Sequence, residues 1–482
     1  MPYLMWIFIL PFLSAFALFC LKRVSTRSAK RCAFLLSLMP LLLLAYAYKN
    51  LIGMDAAYPW IPALGINFHL AVDGISLVFL WLTAIVIPVT ILMENSPNMP
   101  KGYIYYGLSL MLQGLLFAFF MARDLFMFVF FWEAMLIPLF FIMQYWGGPE
   151  RRTAAFTFII YMFAGSIFMI AAILALYLQL GTFDVQQIAG KAEALPYASL
   201  IFAIFLLAFA VKTPLFPFHG WLPEAYYQAP FGGAVQLSAL LSKAGIYGVA
   251  FIGIQLFPNL MKEWSLPLLS LAIAGVIYAA LAAWMQSDYK RLIAYTSLSH
   301  VNFVLAGLFL VNGIGVKGAI FQAFNHGITI TALFLTASWF QNKIHTTAIG
   351  PYSGLAKYFP RLCWTAFFFV LATVALPGTN NFIGELLILL GVFSKHPWLA
   401  VALTFNVVLV VVYMLRWVQK MYFGIPSPRQ EEWRDIGLKD LGLALPLVVI
   451  TLWLGLYPMP VLQEIPSSPV LSAAQATNED HR

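Results

Sequence analysis

Long apolar runs recur along the whole chain, and each has about 20 residues, the length that crosses the hydrocarbon core of a bilayer. Hydrophobic residues make up 62% of the 482 residues and charged residues only 10%, with a mean hydropathy of +0.86. A soluble domain is about half apolar and about a quarter charged. The alternating pattern of an outer-membrane barrel is absent from the sequence. The sequence therefore predicts an all-α, polytopic membrane protein.

The apolar runs predict about fourteen membrane spans. The first run is followed by LKRVSTRSAKR without a small-residue cleavage site, so it is expected to remain as span 1. The twelfth run is too long for one straight helix and is expected to be bent or interrupted. The spans lie at roughly 3–21, 33–48, 74–94, 103–121, 124–144, 154–179, 198–218, 232–256, 265–285, 291–311, 314–340, 362–394, 397–422 and 441–458.

Positive charges in the loops predict the orientation. Of the 27 Lys and Arg residues, 18 fall in segments on one side of the membrane and 7 on the other, while Lys212 and Lys243 lie within spans. Because Lys and Arg favour the cytoplasmic side, both termini are expected outside. This loop bias also accounts for the net charge of +8, so membrane lipid is the expected partner and nucleic acid is not.

The segments between spans show no sign of a soluble catalytic domain. They are short and turn-rich, and they hold no Gly-rich phosphate loop, CxxC ladder, HExxH motif or dinucleotide fingerprint. No two histidines share a helical face at metal-ligand spacing. Three cysteines are too few and too scattered for a disulfide framework or a metal site: Cys20, Cys32 and Cys363. We therefore expect no cofactor or metal bound by this chain.

Matched interruptions indicate an internal repeat. Spans 4 and 9 begin about 162 residues apart, and Pro214 in span 7 lies 163 residues before Pro377 in span 12. Five spans is an odd number, so consecutive copies must enter the membrane from opposite sides, as in inverted-repeat transporters. The predicted domains are 1–102 (spans 1–3), 103–256 (first repeat, spans 4–8), 265–422 (second repeat, spans 9–13) and 423–482 (span 14 and a short tail).

Four ionisable residues lie well inside apolar spans: Glu133, Lys212, Lys243 and Glu385. A charge at mid-membrane costs roughly 2.5–3.5 kcal/mol on insertion scales and usually has a function. A carboxylate on span 5 and a lysine on span 7 could interact by roughly 4 kcal/mol at about 4 Å, so separating them would make the lysine release its proton. The structural alternatives are that Lys243 snorkels or pairs and that Glu385 caps helix amides.

Prolines and histidines extend this candidate proton path. Pro214 and Pro217 expose backbone carbonyls within the membrane, which is tolerated only where protein or internal water satisfies them. Candidate intermediate proton carriers are His219, His300 and His326, although a lone histidine in a helix is commonly a core residue. Other polar residues could hold water or make ordinary interhelical contacts: Asn325, Asn380, Asn381, Ser238 and Ser242.

Four motifs carry a family resemblance: FFWEAMLIP at 130–138, AVKTPLFPFHGWLPEAYYQAP at 210–230, SDYKRLIAYTSLSH at 287–300 and LPGTNNFIGE at 376–385. They are similar to the proton-pumping, antiporter-like subunits of respiratory complex I, and the resemblance runs from the third span to the fourteenth. It implies fourteen helices in two inverted five-helix repeats, with helices 7 and 12 discontinuous. It also implies a multi-pass protein of the bacterial inner (plasma) membrane, in which the termini that the loop charges place outside lie on the periplasmic side.

The resemblance also implies roles for single residues. Glu133 and Lys212 match the family's helix 5 glutamate and helix 7 lysine, Lys243 its bridging helix 8 lysine, and His326 its helix 11 histidine. Glu385 matches the helix 12 position, where glutamate instead of lysine indicates the subunit M branch of bacterial NADH–quinone oxidoreductases. The implied path runs from Glu133 and Lys212 through Lys243 and His326 to Glu385, which releases protons outside.

The implied function is proton translocation driven by quinone reduction in other subunits of the complex. NADH, FMN, iron–sulfur clusters and quinone are expected in those subunits, and neighbouring antiporter-like subunits are the expected partners. Two other interpretations remain open. One is a Mrp-type cation/proton antiporter or a membrane-bound hydrogenase subunit of the same fold. The other is a mainly structural role, in which the buried charges only hold helices together.

Overall fold

The computed structural model describes residues 2–20, 24–94, 99–428 and 433–466. The predicted tail beyond residue 466 and the loop charges Lys22, Arg23 and Arg429 lie outside these ranges. In chain order the α-helices are α1 Pro2–Cys20, α2 Thr26–Leu51, α3 Gly74–Met93, α4 Gly102–Met121, α5 Leu125–Ala134, α6 Leu136–Trp146, α7 Arg151–Leu180, α8 Val185–Ile188, α9 Ala198–Lys212, α10 Leu222–Gln228, α11 Phe231–Val235, α12 Ser242–Gly248, α13 Pro258–Glu263, α14 Ser265–Trp284, α15 Tyr289–Phe309, α16 Gly313–Ile344, α17 Pro360–Thr373, α18 Asn380–Phe393, α19 Pro397–Tyr422, α20 Leu438–Leu456 and α21 Met459–Leu462.

Within the described residues, twelve helical segments are long and apolar enough to cross a membrane. Each coincides with a predicted span. Three shorter apolar helices, α9, α17 and α18, lie where spans 7 and 12 are predicted. The predicted all-α membrane fold is thus confirmed, while the count of fourteen spans and the four repeat-based domain boundaries stay predictions.

Span 12 is interrupted, as its length predicts. α17 ends at Thr373 and α18 begins at Asn380. Pro377 between them has no amide hydrogen to continue a helix. Gly378 follows with φ +93, in the left-handed region that glycine adopts without a steric penalty. The two half-helices therefore both end near the middle of the predicted 362–394 run.

Span 7 ends earlier than the predicted 198–218. α9 stops at Lys212, and helix resumes only at Leu222. Pro214 and Pro217 remove two amide donors, so the helical hydrogen-bond pattern cannot continue through this stretch. Lys212 consequently occupies the last turn of a helix instead of its interior.

Span 5 contains an interruption that the sequence analysis did not predict. α5 ends at Ala134 and α6 begins at Leu136, with Met135 between them. Pro138 cannot donate to the carbonyl of Ala134, four residues earlier, which weakens the helix at this point. The break comes two residues after Glu133.

Span 8 changes between α- and π-helix. Two π-helical segments, Gln236–Leu241 and Val249–Ile254, flank α12. π-Helix is rare, and its short insertions are frequent at functional sites. Lys243 lies in α12 between the two segments.

The chain divides into two compact units. The first takes its described residues from Met1–Thr213, Gln228–Leu266 and Glu464–Arg482. In it, α4 packs against α1, α2 and α3, and α9 packs against α7 and α12. The second takes its described residues from Pro214–Tyr227 and Pro267–Gln463. In the second unit α16 packs against α15, α17, α18 and α20, so it forms the buried centre of that unit.

The first unit also holds a small hairpin where the sequence analysis expected only a turn-rich stretch at 49–73. β1 Asp55–Ile61 pairs antiparallel with β2 Ile66–Ala71, with Ala57 opposite His69. Gly65 precedes β2 with φ +67, which favours glycine. Among the described ranges, these are the two β-strands that accompany the helices.

Candidate functional site

Lys212 is 1% exposed at the end of α9. Its Nζ donates to the backbone oxygen of Trp132 at 2.7 Å and lies 3.8 Å from the centroid of the Trp132 ring. A carbonyl and an aromatic face are two groups that can stabilise an ammonium away from water. The lysine is therefore held by the residue next to its predicted partner, Glu133.

Glu133 lies in the same region, on α5. Both of its carboxylate oxygens are buried, and the Ser166 side chain on α7 interacts with the carboxylate as a hydrogen-bond partner. Glu133 and Lys212 act on each other electrostatically, although no ion pair within 4.0 Å joins them in the described part of the chain. The structure thus brings the two charges together, with the amine turned towards the Trp132 carbonyl.

Lys243 is completely buried, at 0% exposure. Its Nζ donates to the backbone oxygen of Ser238 at 2.8 Å and to Ser242 Oγ at 3.4 Å. Ser242 Oγ also donates to the Ser238 oxygen, at 2.7 Å. The two serines named from the sequence therefore bind this lysine within its own helix, and complete burial excludes the snorkelling alternative for Lys243.

Glu385 forms the centre of a cluster in the second unit. His300 Nδ1 lies 3.2 Å from Glu385 Oε1, and Gln322 Nε2 donates to the same oxygen at 3.2 Å. The rings of His300 and His326 are stacked with centroids 5.6 Å apart. The two histidines and the glutamate are 3%, 2% and 6% exposed, so α15, α16 and α18 together enclose a carboxylate and two imidazoles.

The capping alternative for Glu385 does not fit its position. Glu385 lies in the second turn of α18, and the amide of Asn381 is bound by the side chain of Asn380 at 3.0 Å. Asn325 Nδ2 donates to the Asn380 oxygen at 2.8 Å, and Asn381 Nδ2 donates to Thr329 Oγ1 at 3.3 Å. The asparagines predicted as polar contacts therefore join the start of α18 to α16.

Among the described contacts, no hydrogen bond or ring contact joins His219 to the cluster around Glu385. Its ring packs against Phe216, with centroids 5.6 Å apart, and against Tyr278 at 4.9 Å. Its Nδ1 is buried, and no described residue gives that atom a hydrogen bond. Aromatic packing and a hydrogen bond with the backbone of Pro217 thus form the environment that the structure provides for His219.

Asn302 is a residue that the sequence analysis missed. Its Nδ2 donates to the Pro214 oxygen at 3.2 Å and to the Leu298 oxygen at 2.8 Å, while its Oδ1 accepts from the Phe216 amide at 3.3 Å. It therefore satisfies part of the backbone that the prolines expose. An asparagine inside the apolar α15 was a visible signal, but the sequence does not show which backbone it contacts.

A second charged cluster lies outside the spans in the first unit, and the sequence analysis did not predict it either. We call His69 with its two carboxylate partners the His69 clasp: Nε2 lies 2.8 Å from Asp55 Oδ1, and Nδ1 lies 2.9 Å from Asp184 Oδ2. A neutral imidazole has only one N–H, so the protonated ring matches both carboxylates best. The clasp connects the β1–β2 hairpin to the segment that begins α8.

Opposing effects determine the pKa values in the clasp. Burial disfavours the charge on His69, but the hydrogen bonds and attraction of Asp184 and Asp55 prevail, so the pKa of His69 is raised above 6.5. Burial likewise opposes the charge on Asp184, but its hydrogen bond with His69 and those from backbone amides prevail, so the pKa of Asp184 is lowered below 3.8.

The hairpin should therefore be anchored in a pH-dependent way. The raised pKa of His69 gives stability that is complete below about pH 6.5 and is lost as pH rises through the folded-state value. The lowered pKa of Asp184 gives stability that is present above about pH 4 and is lost as pH falls through its folded-state value. We expect the protection factors of the 55–71 amides, measured by hydrogen–deuterium exchange, to be higher at pH 5.5 than at pH 8.5. His69→Gln should remove this difference, and equal protection at both pH values in the unmodified protein would contradict the prediction.

The comparisons with known proteins cover nearly the whole chain. The family model described as NADH:quinone oxidoreductase/Mrp antiporter, TM matches residues 122–410. NADH-quinone oxidoreductase subunit M of Escherichia coli (strain K12) is 35% identical over 486 residues, covering 95% of each chain. A chain of respiratory complex I from Thermus thermophilus with bound NADH has a TM-score of 0.88 at 30% identity, covering 98% of this chain and 99% of that one.

A chain of the Mrp complex from Dietzia sp. DQ12-45-1b has a TM-score of 0.89 at 21% identity, covering 99% of this chain and 97% of that one. That likeness is one of fold alone. The region matched by the family model contains every candidate residue from Glu133 to Glu385. The chain therefore belongs to the membrane family of NADH:quinone oxidoreductase and Mrp antiporter subunits.

Proposed function

We propose that this chain is a proton-translocating subunit of the membrane arm of an NADH–quinone oxidoreductase in the bacterial inner membrane. Its 35% identity to a subunit M over 95% of both chains supports this assignment. The observation that carries the proton path is Lys212, an amine 1% exposed at a helix end, in the same site as the carboxylate of Glu133. Ionisable groups so placed within membrane spans typically belong to proton relays.

In the first unit, Lys212 is the proton carrier and Glu133 biases it. The ammonium rests on the Trp132 carbonyl and ring. A shift of the amine towards or away from Glu133 changes how strongly the proton is held, because the two charges interact in a medium of low dielectric. When the proton leaves Nζ, the amine becomes neutral and Lys243 is the next carrier in the proposed order.

In the second unit, His326 receives the proton and Glu385 releases it to the outside. His300 contacts both the Glu385 carboxylate and the His326 ring, so we include it in this part of the path. A proton that arrives on Glu385 neutralises the carboxylate and weakens its attraction to His300. His219 has no defined step.

The remaining parts of the complex follow from the same proposal. Quinone reduction, NADH, FMN and the iron–sulfur clusters belong to other subunits, and the translocase is the assembled enzyme. The neighbouring antiporter-like subunits and membrane lipids are the proposed partners. Two inverted five-helix repeats, 103–256 and 265–422, and periplasmic termini complete the proposal.

A Mrp-type antiporter is the second candidate, and the fold likeness to the Mrp complex favours keeping it. Isolation of the chain from its native membrane separates the two functions. Co-purification with flavin and iron–sulfur subunits supports the oxidoreductase. Na⁺-dependent transport by a complex without those subunits would overturn it.

Glu133→Gln in the assembled complex tests the relay. Glutamine keeps the shape of the side chain but removes the charge that biases Lys212. Because charges in the protein interior interact far more strongly than charges in water, we expect the loss of this charge to slow proton translocation by about tenfold. The measurement is the number of protons translocated per NADH oxidised, together with the NADH–quinone rate, in sealed membrane vesicles.

Glu150→Gln is the matched control, because Glu150 is exposed at the start of α7. We expect this variant to pump at the unmodified rate. A fully assembled Glu133→Gln complex that still pumps normally would exclude the proposed relay and leave the structural role of these charges as the better explanation.

A further inference from the structure

Trp132 contacts the proposed proton carrier in two ways. Its backbone oxygen accepts a hydrogen bond from Lys212 Nζ at 2.7 Å, and its ring lies 3.8 Å from the same nitrogen. These contacts are made by the atom that gains and loses the proton. The geometry raises the question of which protonation state of Lys212 the tryptophan favours.

The two contacts respond differently to the charge on the lysine. A backbone carbonyl accepts a hydrogen bond from either an ammonium or a neutral amine. The face of an aromatic ring carries negative potential and attracts a cation, so it stabilises the protonated lysine selectively. The Trp132 ring therefore opposes release of the proton from Lys212.

The ring is held in this position by its surroundings. Trp132 Nε1 donates to Ser166 Oγ on α7 at 3.2 Å. The ring also packs against Phe128, with centroids 5.9 Å apart, and against Phe209, with centroids 5.8 Å apart. At 1% exposure it is closed to water, which strengthens a cation–π contact.

The neighbouring residue offers the amine a competing position. Glu133 follows Trp132 directly, its two carboxylate oxygens are buried, and it shares Ser166 with the Trp132 indole as a hydrogen-bond partner. A change in α5 would therefore alter the distances from Lys212 to the ring and to the carboxylate together. The helix break at Met135 comes two residues after Glu133.

We propose that Trp132 is a positioning residue that holds the protonated form of Lys212 through the face of its indole ring. This inference rests on the proposed function of Lys212 as a proton carrier. Movement of the lysine off the ring then accompanies each release of the proton, and the indole hydrogen bond to Ser166 keeps the ring in place for the return.

The sharpest test inserts tetrafluorotryptophan at position 132 of the assembled complex by site-specific incorporation. Fluorination keeps the size of the ring and the N–H donor to Ser166 but removes the negative potential of the ring face. We expect proton translocation per NADH to fall by about tenfold, the range of a desolvated cation–π contact. Trp132→Phe, which keeps an aromatic face, should recover much of the loss seen with Trp132→Leu.

Trp417 provides the matched control. It is 1% exposed and stacks on Tyr289 with ring centroids 3.9 Å apart, and within the described residues no Lys or Arg lies over its ring. Tetrafluorotryptophan at 417 should leave pumping unchanged. Equal losses at 132 and 417 would attribute the effect to ring packing and overturn the inference.

Comparing the complex that carries tetrafluorotryptophan at position 132 with the Lys212→Met complex separates the inference about Trp132 from the proposed function of Lys212. If Lys212→Met stops pumping but the fluorinated complex pumps normally, Trp132 does not position the carrier and the proposed function stands. If Lys212→Met itself pumps normally, the proposed function fails.

Discussion

Replacing Lys212 with methionine will stop proton translocation through this chain while the complex still assembles. Methionine keeps the length of the side chain and its contact with the Trp132 ring, but it cannot carry a proton. A side chain that transfers protons contributes roughly 10²- to 10⁴-fold to a rate, so we expect the translocation rate to fall by at least about 10²-fold. The measurement is proton uptake into sealed vesicles during NADH oxidation.

Lys212→Arg distinguishes a proton carrier from a structural charge. Arginine keeps a positive charge near Glu133, but it is not deprotonated in proteins. A carrier role therefore predicts that the arginine variant fails as well, whereas a purely structural charge would tolerate it. Lys395→Met is the matched control, because Lys395 Nζ binds only a helix-end carbonyl, that of Leu310 at 3.1 Å, in the contacts described. Normal pumping by Lys212→Arg would contradict the carrier role.

Glu385→Gln will have the second large effect. Glutamine fits the same space and can still accept the hydrogen bond from Gln322, but it cannot take up or release a proton. His300 would face a neutral amide 3.2 Å away in place of a carboxylate. We expect proton translocation to fall by about 10²-fold, the lower end of the range for a missing proton-transfer group, with less effect on assembly than on pumping.

The matched control for this variant is Glu224→Gln. Glu224 also forms an ion pair, with Arg291 at 3.0 Å, but those side chains are 38% and 42% exposed. Exposed ion pairs contribute about 0–1 kcal/mol, so little change is expected. Pumping and NADH oxidation are measured on both variants in parallel. Equal proton translocation per NADH oxidised in Glu385→Gln and Glu224→Gln would show that Glu385 has no special part in proton release.

The interrupted helices illustrate how far sequence reasoning extends. The excess length of span 12 and the prolines of span 7 predict both interruptions correctly, because proline cannot donate within a helix. The break after Glu133 was visible in principle through Pro138, but a single proline in an apolar run often leaves a helix continuous across the membrane. The π-helical segments beside Lys243 have no comparable signal in the sequence.

The sequence reveals the candidate residues but not the groups that they contact. Five candidate residues stand out in the sequence because a charge or an imidazole is rare in an apolar span: Glu133, Lys212, Lys243, His326 and Glu385. Their partners do not stand out: Lys212 binds a backbone carbonyl 80 residues away, and Gln322 binds Glu385 63 residues away. A backbone acceptor has no residue-specific signature, so the contact between Lys212 and Trp132 is visible only in the folded chain.

Membrane insertion depends mainly on the apolar content of each window of about 20 residues, and that is a local property of the chain. For this reason the sequence by itself determined the spans, the charges within them and the proline breaks. Distances between charges depend on how helices pack, and packing in the membrane depends on the surfaces of several helices at once. Tertiary structure alone therefore decided that Lys212 rests on Trp132, that His300 joins Glu385, and that His69 links the hairpin to Asp184.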